Sequence, residues 1–152
     1  MRAPTKSDAI RIVEQITRNN VAAINRFTTG KAHYVYEAKF ADGSAPLVIR
    51  LARPDMVGFF TGAVYWHPIL RARDVPLPAL VYAELDAGIH GFPVMLLERL
   101  PGRDLGEAYS GLTRQQRRDL ARSIAVLQQR VRTMPAGPGF GYATAYDDAA
   151  LH

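Results

Sequence analysis

Cysteine does not occur in this chain. A disulfide framework, a thiolate metal site and a cysteine nucleophile are therefore excluded. Long hydrophobic runs are missing as well: no apolar stretch approaches the ~20 residues that a membrane-spanning helix needs. The first stretch carries Arg2, Lys6, Asp8, Arg11, Glu14 and Arg18, so it does not read as a signal peptide. A cytoplasmic protein is expected. His33, His67, His90 and His152 are scattered without ligand spacing, and no metal site is read from them. Ser110-Gly111 lacks the surroundings of a nucleophile elbow. There is no internal repeat and no low-complexity segment.

What is present suits a folded domain. With 152 residues the chain buries roughly 70% of its unfolded surface. Hydrophobic residues at 48% and charged residues at 22% argue against disorder of the whole chain. The net charge of +5 favours acidic partners, namely nucleotides, nucleic acid or anionic lipid, without choosing among them.

The hydrophobic pattern predicts alternating element types. Ser7 is positioned to cap a helix to about Asn19, with Ala9, Ile12, Val13 and Ile16 on one face. Three strands follow, at Ala23 to Thr28, His33 to Phe40 and Leu47 to Ala52, with Asp42-Gly43 as a turn. In the third, Leu47, Ile49 and Leu51 point one way, and Val48, Arg50 and Ala52 the other. A helix is expected from Phe59 to Arg73, with Pro68 starting a new segment or kinking it. Val75-Pro76-Leu77-Pro78 is a stiff linker. Ala79 to Leu85 and Val94 to Arg99 read as strands around a turn at Asp86 to Pro93. Thr113 and Gln116 have capping-box spacing ahead of a helix whose stripe is Leu120, Ile124, Leu127 and Val131. The expected class is α+β, an antiparallel five-stranded sheet flanked by helices.

An ordered series of segments then carries a resemblance. They are Arg26-Phe27-Thr28-Thr29-Gly30-Lys31 before Tyr34-Val35-Tyr36, Leu47-Val48-Ile49-Arg50, Val75-Pro76-Leu77-Pro78, and Met95-Leu96-Leu97-Glu98-Arg99-Leu100-Pro101-Gly102. In this order and spacing the chain, from roughly Ile24 onward, resembles the aminoglycoside phosphotransferase and choline kinase group, which has the protein-kinase-like fold. The resemblance implies a nucleotide-binding lobe over residues 1–100. Residues 101–152 would be the hinge and the start of an incomplete helical lobe. It implies ATP as cofactor. Thr28, Thr29, Gly30 and Lys31 would form the loop over the phosphates, of whose glycine pattern only Gly30 matches. Arg50 would stand where the fold puts its phosphate-meeting strand cation. Val35 and Val48 would touch the adenine. Leu97 would back the pocket, with the Glu98 carbonyl and the Leu100 N–H on the adenine edge. Read alone, the same pieces equally fit a plain hairpin turn, a solvated arginine and a buried strand ending in Pro-Gly.

The gaps in the match are as informative. No acid occurs between Asp55 and Asp74, and Ala63 falls near the place of the helix glutamate that usually braces the strand cation. Phosphoryl transfer in this fold needs a catalytic aspartate, then an asparagine and a second aspartate for magnesium. The asparagines here are Asn19, Asn20 and Asn25, all ahead of the first strand's end. After the hinge the acids are Asp104, Glu107, Asp119, Asp147 and Asp148. The expectation is a chain that stops before the catalytic loop and is inactive alone. Its partner would be the missing lobe, or a second copy meeting the apolar stripe of the last helix. Two other readings stay open: a non-enzymatic nucleotide- or partner-binding module, and a nucleic-acid binder using Arg114, Arg117, Arg118, Arg122, Arg130 and Arg132. No aromatics interleave those arginines, which favours a solvated helix face.

Overall fold

A computed structural model of the chain describes residues 2–28, 33–136 and 143–145. The first helix, α1 (Lys6–Thr17), has its cap two residues before the expected one. Thr5 is the N-cap: its hydroxyl accepts the Asp8 N–H at 3.2 Å, and the Asp8 carboxylate accepts the Thr5 N–H at 2.9 Å. Ser7 cannot form this reciprocal box, because Ile10 stands three residues on. Arg2 donates to Asp8 at 2.6 Å, so the carboxylate is buried but paired.

Five strands follow: β1 (Val21–Arg26), β2 (Tyr34–Phe40), β3 (Leu47–Leu51), β4 (Leu80–Glu84) and β5 (Val94–Glu98). They form one sheet in the order β1-β2-β3-β5-β4. Every neighbouring pair is antiparallel. The β2–β3 turn is the one expected at Asp42-Gly43. Gly43 takes φ 78°, and Asp42 accepts the Ser44 N–H at 2.9 Å.

Pleating then sorts the side chains. Leu47, Ile49 and Leu51 of β3 join Ala9, Ile12 and Val13 of α1 in one core. Val48 and Ala52 face the other way, into a second core with Phe60, Met95 and Leu97. Four of the five β5 residues are buried, and they divide between the two cores, so this strand reads as a continuous apolar run.

The second core is covered by α2 (Val57–Arg71), which a 3-10 turn at Pro54–Met56 introduces. The helix starts two residues earlier than expected and runs unbroken through Pro68. Pro68 has no N–H to donate to the preceding turn, and the helix continues for three residues beyond it. Between β4 and β5 the expected turn contains a short helix, α3 (Ala87–His90), capped by Asp86 and ended by Gly91 at φ 86°. After β5 come α4 (Leu105–Ala108) and a 3-10 turn, Tyr109–Gly111, that the periodicity did not announce.

The last helix, α5 (Arg114–Arg132), has the Thr113–Gln116 capping box expected of it. None of its residues is buried. Ile124 and Val131 are 44% and 41% exposed. Arg130 donates to the Asp74 carbonyl. No helix among the described residues is long and apolar enough to cross a membrane.

Candidate functional site

The register brings two rows of side chains onto the face away from α1. One row is Val35, Arg50 and Met95; the next is Glu37, Val48 and Leu97. Val35, Val48, Arg50 and Leu97 thus share a face. Val48 and Leu97 pack in one cluster.

Arg50 is the electrostatic centre of that face. Its guanidinium lies over the Phe60 ring, 5.3 Å from the centroid. Burial lowers its affinity for the proton, yet an arginine stays charged. Among the described residues it makes no ion pair and no hydrogen bond. The nearest acid along the chain, Asp55, is bound to Arg53 at 2.8 Å instead. Ala63 on α2 lines the same cavity as Arg50 and offers no charge. The neighbouring His33 ring stands edge-on to Phe60 at 5.0 Å. Burial, then the Arg50 charge, push its pKa below the usual imidazole value.

The expected hinge lies at the end of β5. Glu98 donates its N–H to the Ala79 carbonyl at 2.9 Å. The return bond is unusual: the Ala79 N–H goes to the Glu98 carboxylate at 3.0 Å, which leaves the Glu98 carbonyl free of that donor. Leu100 lies exposed just beyond. Arg99, which the sequence reading passed over, ties this edge to β2. Its Nε donates to Glu37 at 3.0 Å, its guanidinium lies 5.6 Å from the Phe27 ring centroid, and it donates to the Leu100 carbonyl.

Thr28 is exposed, one residue past Phe27, whose N–H bonds the Val35 carbonyl at 2.9 Å. Thr29, Gly30 and Lys31 lie outside the described residues, as do Gly139-Phe140-Gly141 and Asp147-Asp148.

Sequence reasoning also missed a cavity of about 560 Å³ between α2 and the sheet. Of the residues expected to hold nucleotide, Arg50 and Leu97 line it; Val35, Val48, Glu98 and Leu100 do not. Gly62, Ala63 and Trp66 form its α2 wall. Ala143 closes it, accepting the Trp66 Nε1–H at 2.7 Å. A side chain on Gly62 would come within 3.2 Å of the Ala143 carbonyl, so glycine permits this close approach. A signal for the hollow exists in the sequence: two small residues, Gly62-Ala63, interrupt a bulky apolar helix.

No group of three or more His, Asp or Glu residues that could hold a metal ion occurs among the described residues.

An open antiparallel sheet with α2 on one face and a half-buried cation on its central strand defines a kinase-like N-terminal lobe. The chain belongs to the phosphotransferase enzyme family APH, whose family model matches residues 23–151. No curated protein and no solved structure matches it.

Proposed function

We propose that this chain is the ATP-binding portion of a phosphotransferase whose acceptor is a hydroxylated small molecule. The observation that carries the reading is Arg50: a charged, largely desolvated guanidinium on the central sheet with no carboxylate to neutralise it among the described residues. A buried unpaired cation is costly, and a polyphosphate supplies the missing charge in a geometry that arginine grips with two donors at once. Val35 and Val48, diagonal neighbours on the same face, give the adenine an apolar wall, which provides most of the affinity. The free Glu98 carbonyl and the Leu100 N–H would read its edge, each bond adding about 0.5–1.5 kcal/mol. Thr28, Thr29, Gly30 and Lys31 would cover the phosphates. Residues 1–100 then act as the nucleotide lobe and residues 101–152 as the hinge and the start of a helical lobe.

The chain's own residues hold and orient the nucleotide. The transfer step needs an aspartate, an asparagine and a second aspartate in sequence, and no asparagine follows Asn25. Without that set, the 152 residues bind nucleotide and do not transfer its phosphate.

Calorimetric titration with ATP tests the reading. The expected result is saturable binding that weakens roughly tenfold to a hundredfold in Arg50→Met, the worth of a hydrogen bond to a charged group. Equal affinity in the two proteins, or no binding to either, would refute it.

A further inference from the structure

The cavity behind Leu97 shares Arg50 and Leu97 with the nucleotide reading and has a further wall on α2 that the reading does not use. It runs beside α2 from the level of Phe60, where Arg50 sits, to Leu70 and Leu77. Ten helical residues correspond to about 15 Å of length. Its volume of about 560 Å³ falls in the range of small-molecule sites. The walls are almost wholly apolar, with Ala63, Trp66, Leu70 and Met95 along them. His67 on the wall is already engaged, its Nε2 donating to the Pro78 carbonyl at 2.7 Å. Among the described residues Arg50 is the one arginine or lysine in the lining; the carboxylate there, Asp55, is paired with Arg53 at 2.8 Å, and α2 offers Arg50 no counter-charge.

We propose that this cavity binds a small monocarboxylate with an apolar body of one or two rings, its carboxylate on Arg50 and its body along Trp66 and Leu70. Charge complementarity selects the head group. A carboxylate restores to Arg50 the partner that Ala63 withholds, whereas an ammonium would be repelled and an alcohol would leave the guanidinium uncompensated. The apolar lining selects the body, because rings laid along Trp66 and Leu70 bury apolar surface there and polar chains would lose their hydration. The site requires only the cavity and Arg50, and does not depend on the nucleotide reading.

Trp66 is the chain's single tryptophan and lines the cavity, so its emission reports occupancy directly. The full chain is titrated without nucleotide using three probes that share one body: 4-phenylbutyrate, 4-phenylbutan-1-ol and 4-phenylbutylamine. The carboxylate is expected to saturate at concentrations at least roughly tenfold below the alcohol, with the amine weakest. Ala63→Glu gives Arg50 an internal counter-ion and should abolish that advantage. Ala63→Gln, of the same size without the charge, should keep the order of the probes. If Ala63→Glu fails to fold, Arg50→Met serves in its place and should bind carboxylate and alcohol alike. Equal affinity for all three probes in the unmodified chain, an absent response, or an unchanged carboxylate preference in folded Ala63→Glu would each overturn the proposal.

Discussion

Asp8 shows how much one side chain can hold when its neighbours are arranged for it. The Arg2 hydrogen bond is the largest influence keeping its carboxyl well below the usual carboxylate range; the Thr5 hydroxyl and N–H add to it, and burial opposes them. A carboxyl depressed on folding stabilises the protein above the unfolded pKa of about 4 and loses that contribution as pH falls through the folded value. Denaturant titrations between pH 7 and pH 2 should therefore show stability falling below about pH 4. In Asp8→Asn that fall should be shallower, and the stability at pH 7 lower by about 1 kcal/mol, the usual worth of an N-cap interaction. An identical acid limb in the two proteins would contradict the assignment. Asp42 is held down to about 2, chiefly by the Asn19 side chain, and stays ionised over most of the same range. Phe60 is a residue of a different kind. It is fully buried in the second core, and Arg50 lies over its ring. Phe60→Ala should cost about 3–5 kcal/mol in chemical denaturation. Phe60→Leu, nearer in volume, should cost well under half of that.

Of the three long helices, α5 depends most on its own sequence, since α1 and α2 bury residues and α5 buries none. Isolated helices in water are marginal and end effects weigh heavily on them. Thr113→Ala removes the cap and should lower local helix stability by about 1 kcal/mol. Hydrogen exchange is the suitable measurement: amides of the first turns of α5 should exchange faster, while β3 and β5 stay unchanged. The same helix shows what the sequence made legible. Its capping box and apolar stripe are local signals, and both the element and its start follow from them. The strands were legible for the same reason, because Leu47, Ile49 and Leu51 against Val48 and Arg50 is a period-2 pattern that register alone turns into two faces. The helix-start error at Ser7 arose because Thr5 and Asp8 act as a pair, and the pair gains its strength from Arg2, which no periodicity reveals. The uninterrupted course of α2 through Pro68 was hidden likewise, since a proline inside a helical pattern reads as a break or a kink. At the candidate site, the shared face of Val48 and Arg50 could be read from alternation, whereas Val35 and Leu97 join it through the cross-strand register. The Arg99–Glu37 tether could not, because it joins residues 62 apart in sequence across three strands. Nor could the cavity beside Gly62-Ala63, which exists only once α2 has been laid on the sheet.

For the molecule as a whole, the two faces of one sheet have different tasks. The α1 side is a closed core that fixes the register. The α2 side keeps a cation and a hollow where a uniformly packed layer would have neither. Beyond them α5 exposes Ile124 and Val131, and apolar positions in that arrangement favour association. Sedimentation at rising concentration should show self-association, and Ile124→Lys with Val131→Lys should shift the distribution toward the monomer mass. A chain that stays monomeric throughout would contradict this expectation. The central claim is that a phosphate-bearing adenosine lies on the Val35, Val48 and Arg50 face with its base at the Glu98–Leu100 edge. Amide chemical-shift mapping of the labelled chain during an ATP titration tests it most directly. Saturable shifts clustered at Val35, Val48, Arg50 and Leu97 to Leu100, with α1 and α3 silent, are the predicted result. Shifts confined to the arginine-rich face of α5, or none at millimolar ATP, would contradict it.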